Sequence, residues 1–202
     1  MKRKIELQSG DVLLVTDIQN DFLPGGALAV SHGDDVIEPL NHYIEMFLEN
    51  GLPVYATRDW HPPHHSSFKE QGGIWPIHCV QGSSGSQFSS ALHLPEQAKI
   101  ISKATRLDQD AYSSFLGTTL DVQFKKEGIR RIFIGGLTTD YCVLNTVKDA
   151  LALRYIVYVL NDAIRAVDVN PGDGERAIAE MRGLGAEFIE ITEVEWIAAA
   201  LY

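Results

Sequence analysis

The sequence is poor in cysteine, in positive charge and in long apolar runs. Two cysteines in 202 residues cannot knit the multi-bridge scaffold of a small secreted protein. Lysine and arginine number 17 against 27 aspartates and glutamates, a formal net charge of −10, and such a surface repels phosphate backbones and argues against nucleic-acid binding. No apolar stretch approaches the ~18–20 residues that cross a bilayer. The basic start Lys2-Arg3-Lys4 is followed by Glu6, Gln8, Ser9, Gly10 and Asp11, where a signal peptide needs apolar residues. No Gly-x-Gly-x-x-Gly follows the first strand and no phosphate-binding loop ends in Gly-Lys-Ser/Thr. Gly82-Ser83-Ser84-Gly85-Ser86 lacks the spacing of a nucleophile elbow. With 45% hydrophobic and 22% charged residues, the expectation is a soluble, cytoplasmic protein, one globular domain over 1–202, with no membrane or nucleic-acid partner.

What is present is an alternation of short apolar runs and amphipathic stretches. Val12-Leu13-Leu14-Val15 reads as a strand buried on both faces, ending at Thr16-Asp17. A helix is expected over 34–50, with Val36, Leu40, Ile44, Phe47 and Leu48 on one stripe and Gly51 as its stop. Further strands are expected at 53–57, 98–103, 131–136, 155–160 and 186–191. Further helices are expected at 118–127, 140–153, 175–184 and 193–201. Strands alternating with helices predict an α/β fold with a mostly parallel sheet covered on both faces. Residues 60–94 break the pattern with prolines, glycines and paired serines, but their tryptophans and histidines argue for an ordered insertion.

A sheet of this kind places its site outside the carboxyl ends of the strands. The residues expected there are Asp17, Asp59, Lys103, the segment 135–142 and Asn161-Asp162. Cys142 falls just inside a helix start, where unpaired amides and the helix dipole favour a thiolate and could hold an oxyanion. A free cysteine is more commonly a small buried packing residue, and Cys79, without such a context, is read that way. Asp17 could take a thiol proton while Lys103 holds it ionised. A structural ion pair is the equal alternative. Asp59 and His61, two apart on an extended segment, share one side, and His78 would complete a set of two imidazoles and a carboxylate suited to Zn²⁺ or another divalent transition metal. His64, His65 and Glu70 are spare candidates. Histidines in proline-rich loops are more often exposed and idle.

Four stretches together resemble a known family. They are Asp17-Ile18-Gln19-Asn20-Asp21-Phe22; Arg58-Asp59-Trp60-His61-Pro62 with His65-Ser66-Ser67-Phe68; Trp75-Pro76-x-His78-Cys79-Val80-x-Gly82; and Gly136-Leu137-x-Thr139-Asp140-Tyr141-Cys142-Val143. Asp110-x-Tyr112-Ser113-x-Phe115 adds a weaker fifth. In this order they resemble the isochorismatase-like cysteine hydrolases, most closely the nicotinamidase branch. The resemblance implies a three-layer, Rossmann-like α/β/α fold around a six-stranded parallel sheet. It implies Asp17, Lys103 and Cys142 as a catalytic triad, and Asp59, His61 and His78 as ligands of one divalent metal, Zn²⁺ first, with Fe²⁺ or Mn²⁺ as alternatives. It further implies Phe22, Trp75 and Tyr141 around the substrate, and an oxyanion hole from the amides of Thr138 and Cys142, with a cis peptide at Leu137-Thr138. Thr138 stands where the family often has alanine.

The activity so implied is hydrolysis of nicotinamide to nicotinate and ammonia through a cysteine thioester, a step of NAD salvage, with pyrazinamide as a further substrate. The alternatives are an amidase of the same family acting on carbamoyl or ureido compounds, and a non-catalytic binding domain. The Asp59, His61 and His78 set counts against the first, and the complete triad against the second. Self-association is left open.

Overall fold

The computed structural model describes residues 4–195. It opens with a two-residue strand, β1 (Ile5–Glu6), followed by β2 (Asp11–Thr16), α1 (Ile37–Glu49), β3 (Val54–Asp59) and β4 (Lys99–Lys103). The second half runs α2 (Leu120–Lys126), β5 (Arg131–Leu137), α3 (Leu144–Ala152), β6 (Ile156–Arg165), α4 (Asp173–Gly183), β7 (Glu187–Ile189) and β8 (Val194–Glu195). Six strands form one parallel sheet in the order β4-β3-β2-β5-β6-β7, and β1 pairs with β8 beside it. Among the described residues no helix is long and apolar enough to cross a membrane.

The core explains the continuous apolar run in β2. Leu13 and Val15 face α1, whose Leu40, Tyr43, Ile44 and Phe47 are buried against them. Val12 and Leu14 face the opposite way, toward Leu120 and Phe124 of α2, Val147 and Ala150 of α3 and Met181 of α4. Each side chain of this kind contributes ~1.5–3 kcal/mol when fully buried, so a strand buried on both faces has no polar position to spare.

The strand order reverses between β2 and β5. The crossovers to β3 and β4 leave one way and those to β6 and β7 the other, which opens a crevice at the carboxyl ends of β2 and β5. There Gly136 has φ +121°, and a Cβ on it would lie 2.0 Å from the carbonyl oxygen of Thr16. Only glycine permits the two strands to run this close at the mouth of the crevice.

The structure corrects several sequence expectations. The expected helix over 34–50 begins as a 3₁₀ turn, Gly33–Val36, before α1. The expected helix over 140–153 opens with a π turn, Thr139–Val143. β6 continues through Asn161-Asp162, because a register shift against β5 between Ile134 and Gly136 absorbs the extra residues. Asp162 is therefore not at the crevice; it accepts hydrogen bonds from the Tyr43 hydroxyl at 3.0 Å and the Ile191 amide at 3.0 Å. Of the helix expected over 193–201, Glu193 closes a 3₁₀ turn with a capping box and Val194–Glu195 pair with β1; residues 196–201 lie outside the described residues.

Candidate active site

Sheet register brings the first group together. Asp59 and Lys103 are partners across β3 and β4, and Thr16 pairs with both Thr57 and Gly136. Asp17, one step beyond β2, turns into the crevice with φ +53°, a left-handed conformation that aspartate tolerates better than most residues. Its Oδ1 accepts a hydrogen bond from Thr57 Oγ1 at 2.7 Å, and Lys103 Nζ lies 2.9 Å from Oδ2. The same ammonium is 2.5 Å from Asp59 Oδ1, 3.3 Å from the Ala111 carbonyl and 3.3 Å from Cys142 Sγ. Asp17 Oδ2 carries no aligned hydrogen bond among the described residues, which keeps a lone pair for another donor.

Burial sets the electrostatics. It lifts the Asp17 carboxyl above the usual range; Lys103 pulls it back and the Asp59 charge adds to the rise. Burial also lifts the Cys142 thiol, against the pull of Lys103 and with the push of Asp17 and Asp59. Burial thus opposes the pull of the helix start toward a thiolate, and the base expected beside the sulfur, Asp17, gains in importance. Burial opposes the charge on Lys103, but Asp17 and Asp59 outweigh it and hold the ammonium protonated. Asp59 behaves differently from Asp17. Burial raises it, yet the adjacent Lys103 ammonium helps bring it below the ordinary carboxylate range.

The insertion supplies the second group. Asp59, His61 and His78 present ligand atoms within 4.8 Å of one another. His61 Nδ1 lies 3.1 Å from the His78 carbonyl, and His78 Nδ1 lies 2.8 Å from the Pro76 carbonyl. A ring nitrogen bonded to a carbonyl must carry the hydrogen, so Nε2 of each ring keeps its lone pair, the arrangement of metal-ligating histidines. Burial lowers His61 to about 4, so this ring is neutral and ready to ligate. The donor set fits a divalent transition metal.

The spare candidates divide. His64 and Glu70 are exposed. His65 is buried with its ring 4.5 Å from that of His61, but its Nδ1 meets the Ser67 amide at 3.2 Å and its Nε2 meets the Gln109 carbonyl at 3.2 Å. Both nitrogens are thereby engaged in holding the loop.

Between the groups lies a small, partly open cavity. Phe22, Leu28, Trp75, Tyr112, Tyr141 and Val167 line it together with Asp59, His61, His78, Thr138 and Cys142. Trp75 meets Tyr141 edge-on at 4.9 Å, and Trp75 Nε1 donates to the Tyr112 hydroxyl at 2.9 Å. The peptide Leu137-Thr138 is cis.

Several residues that matter here were given no role by sequence reasoning. Gln19, fully buried, accepts from the Asp59 amide at 2.7 Å and donates to the Asp59 carbonyl at 2.8 Å, gripping that backbone as a neighbouring strand would. Asp21 accepts from the Cys79 amide at 2.7 Å and so holds the turn after His78, where Cys79 has φ +46°. Gly85 makes room for that carboxylate, since a Cβ there would lie 2.1 Å from Asp21 Oδ2. Asp140 accepts from the amides of Val167 and Asp168 at 3.0 and 2.9 Å, anchoring the opposite wall. The available signal was their place within the stretches 17–22 and 136–143, directly after β2 and β5.

Comparison with known proteins agrees with this architecture. The family model described as the isochorismatase domain matches residues 11–193. The nicotinamidase of Escherichia coli (strain K12) is 38% identical over 204 residues, covering 91% of this chain and 96% of the relative. The pyrazinamidase of Pyrococcus horikoshii, solved in complex with zinc, superposes with a TM-score of 0.86 at 47% identity, over 90% of this chain and 99% of that one. PnC1 from L. infantum, solved in complex with nicotinate, superposes with a TM-score of 0.87 at 32% identity, over 96% and 98%. The chain belongs to the isochorismatase domain family.

Proposed function

We propose that this chain is an amidohydrolase that converts nicotinamide to nicotinate and ammonia, with pyrazinamide as a second substrate, through a thioester on Cys142. The observation that carries the reading is the convergence of one ammonium, Lys103 Nζ, on Asp17, Asp59 and Cys142 within 3.3 Å, with Asp59 and Cys142 lining a cavity shared with Phe22, Trp75 and Tyr141. The 47% identical pyrazinamidase and the 38% identical nicotinamidase support the substrate class.

Asp17 takes the Cys142 proton on Oδ2, and Lys103 keeps the resulting charges balanced. The thiolate attacks the carboxamide carbon. The oxygen, now an anion, is held by the amides of Thr138 and Cys142. Asp17 returns its proton to the departing nitrogen, and ammonia leaves. Water then attacks the thioester with Asp17 as base, and nicotinate and the Cys142 thiol are released. Phe22, Trp75 and Tyr141 flank the flat ring and fix its plane, which suits a heteroaromatic amide better than a small ureido compound.

Asp59, His61 and His78 would hold one divalent cation, with Zn²⁺ the leading candidate because it is the metal in complex with the P. horikoshii relative. When bound, such an ion supplies a Lewis-acid anchor for an electron-pair donor on the substrate ring. The nucleophile needs no metal, since Cys142 supplies it. The test is ammonia release from nicotinamide by the purified protein, with Cys142→Ala inactive and folded; release by Cys142→Ala at the wild-type rate would refute the reading.

A further inference from the structure

The cavity lining holds two carboxylates, Asp59 and Asp110. Asp59 is paired with Lys103 and belongs to the metal-capable set. Asp110 is half-buried and differs. The nearby ion pairs join Lys103 to Asp17 and Asp59, and Arg106 to Asp108; among the described residues none includes Asp110. Its Oδ1 accepts from the neighbouring Ala111 amide at 2.9 Å, a neutral donor that an asparagine oxygen would satisfy as well. The feature that asparagine would lack is the charge.

That charge stands close to the reacting groups. The Ala111 carbonyl, one residue on, shares the Lys103 ammonium with Cys142 Sγ, each at 3.3 Å. The Asp110 carboxylate lies within 4.8 Å of ring nitrogens of His61 and His65. Burial raises the Tyr112 hydroxyl on the cavity wall, and the Asp110 charge adds to that rise. These three residues do not make a second metal site. His65 has both nitrogens engaged, and the open nitrogen of His61 serves the set with Asp59 and His78.

Charge balance gives Asp110 a role. With Asp17 ionised as the base, the Lys103 ammonium stands against the carboxylates of Asp17, Asp59 and Asp110. The excess is negative and equals the charge of one divalent cation at Asp59, His61 and His78. Without Asp110 the loaded site would be positive and would retain an anion. The reaction above turns a neutral amide into an anion. We propose that Asp110 sets the ligand charge this cavity accepts: its carboxylate leaves the binding of nicotinamide nearly unchanged and loosens nicotinate, so that the product departs. This rests on the amide-hydrolysis reading and adds to it a residue that separates substrate from product.

The test uses zinc-loaded Cys142→Ala protein, which binds ligands without turnover, and measures Kd for nicotinamide and for nicotinate by calorimetry with and without Asp110→Asn. A like charge several ångströms away in a partly buried site changes affinity roughly three- to tenfold, so Asp110→Asn is expected to tighten nicotinate by that factor. Nicotinamide is expected to change less than about twofold, because it carries no net charge. With Cys142 restored, the same substitution is expected to strengthen product inhibition by nicotinate to the same extent. Asp108→Asn, which removes an exposed carboxylate two residues away, is expected to leave both constants in place. An unchanged or weaker affinity for nicotinate in Asp110→Asn would overturn the inference. So would an equal shift for both ligands, which would mark a change of cavity shape, or an Asp108→Asn protein that matches Asp110→Asn. If Asp110→Asn does not fold, Asp110→Ser makes the same comparison. Failure of the underlying reading is separable: wild type would release no ammonia from nicotinamide, and the inference would fall with it.

Discussion

The two halves of the site are built in different ways. Asp17, Lys103 and Cys142 stand at or just beyond the ends of β2, β4 and β5, and the register of a parallel sheet brings them together. His61 and His78 sit on the irregular insertion, where no sheet fixes them. They are held by local devices: Gln19 on the Asp59 backbone, Asp21 on the turn after His78, and the bridge from the His61 amide to the Cys79 carbonyl at 3.0 Å. Asp59 belongs to both halves, being the Lys103 partner and a member of the metal-capable set. In the proposed reaction a rigid scaffold carries the bond-making groups and a stapled loop the orienting ones.

Substitutions should separate the halves. The largest effects belong to the strand-end group. Cys142→Ala should abolish turnover with an unchanged melting profile, and Asp17→Asn should lower kcat by the ~10²–10⁴ of a lost general base. Thiol alkylation of Cys142 should slow in parallel, and an unchanged alkylation rate in Asp17→Asn would move the base elsewhere. Next come the staples. Asp21→Ala should leave Cys142 as alkylatable as in wild type yet weaken metal binding by the ~10–100-fold typical of residues that orient ligands, read by competition with a chromophoric chelator. Equal metal affinity would separate Asp21 from the loop's geometry.

A pH profile sharpens the electrostatic side. As the proposed base Asp17 acts in its ionised form, and burial raises its carboxyl, so kcat/KM should fall with acid at a pH above the ordinary carboxylate range. The Thr57 hydroxyl stabilises the ionised form, so Thr57→Val should move that acid limb to still higher pH. A limb that stays in place would remove Thr57 from the account. Cys79→Ala should have the smallest effect. Its sulfur is fully buried and burial pushes its thiol up, so it is an inert packing group, and most activity should survive.

The same contrast explains what could be read in the sequence. Apolar runs such as Val12 to Val15 carry their own period, and a charged residue at the end of one, as at Asp17 or Lys103, is visible as an exception to it. Positions just past strands therefore pointed to the crevice before any fold was available. Long-range staples have no such signature. Gln19 and Asp59 are 40 residues apart and Asp21 and Cys79 are 58 apart, so only the folded chain discloses their pairing. The short β1–β8 pair was missed because two residues per strand carry no alternation, and it takes up Val194–Glu195, which had been expected as the start of a helix. For the thiol, helix position was visible in the sequence and depth of burial was not, so the need for a base was legible and the rise caused by burial was not.

The central claim is a division of labour: strand ends perform the hydrolysis, while the loop-borne set orients the ring. Steady-state kinetics with nicotinamide and with benzamide, which lacks the ring nitrogen, test it most directly when run on the metal-loaded wild type and on His61→Ala. The account predicts a far higher kcat/KM for nicotinamide in wild type and the loss of most of that preference in His61→Ala. Equal kcat/KM for the two amides in the metal-loaded wild type would contradict it and return Asp59, His61 and His78 to a purely structural role.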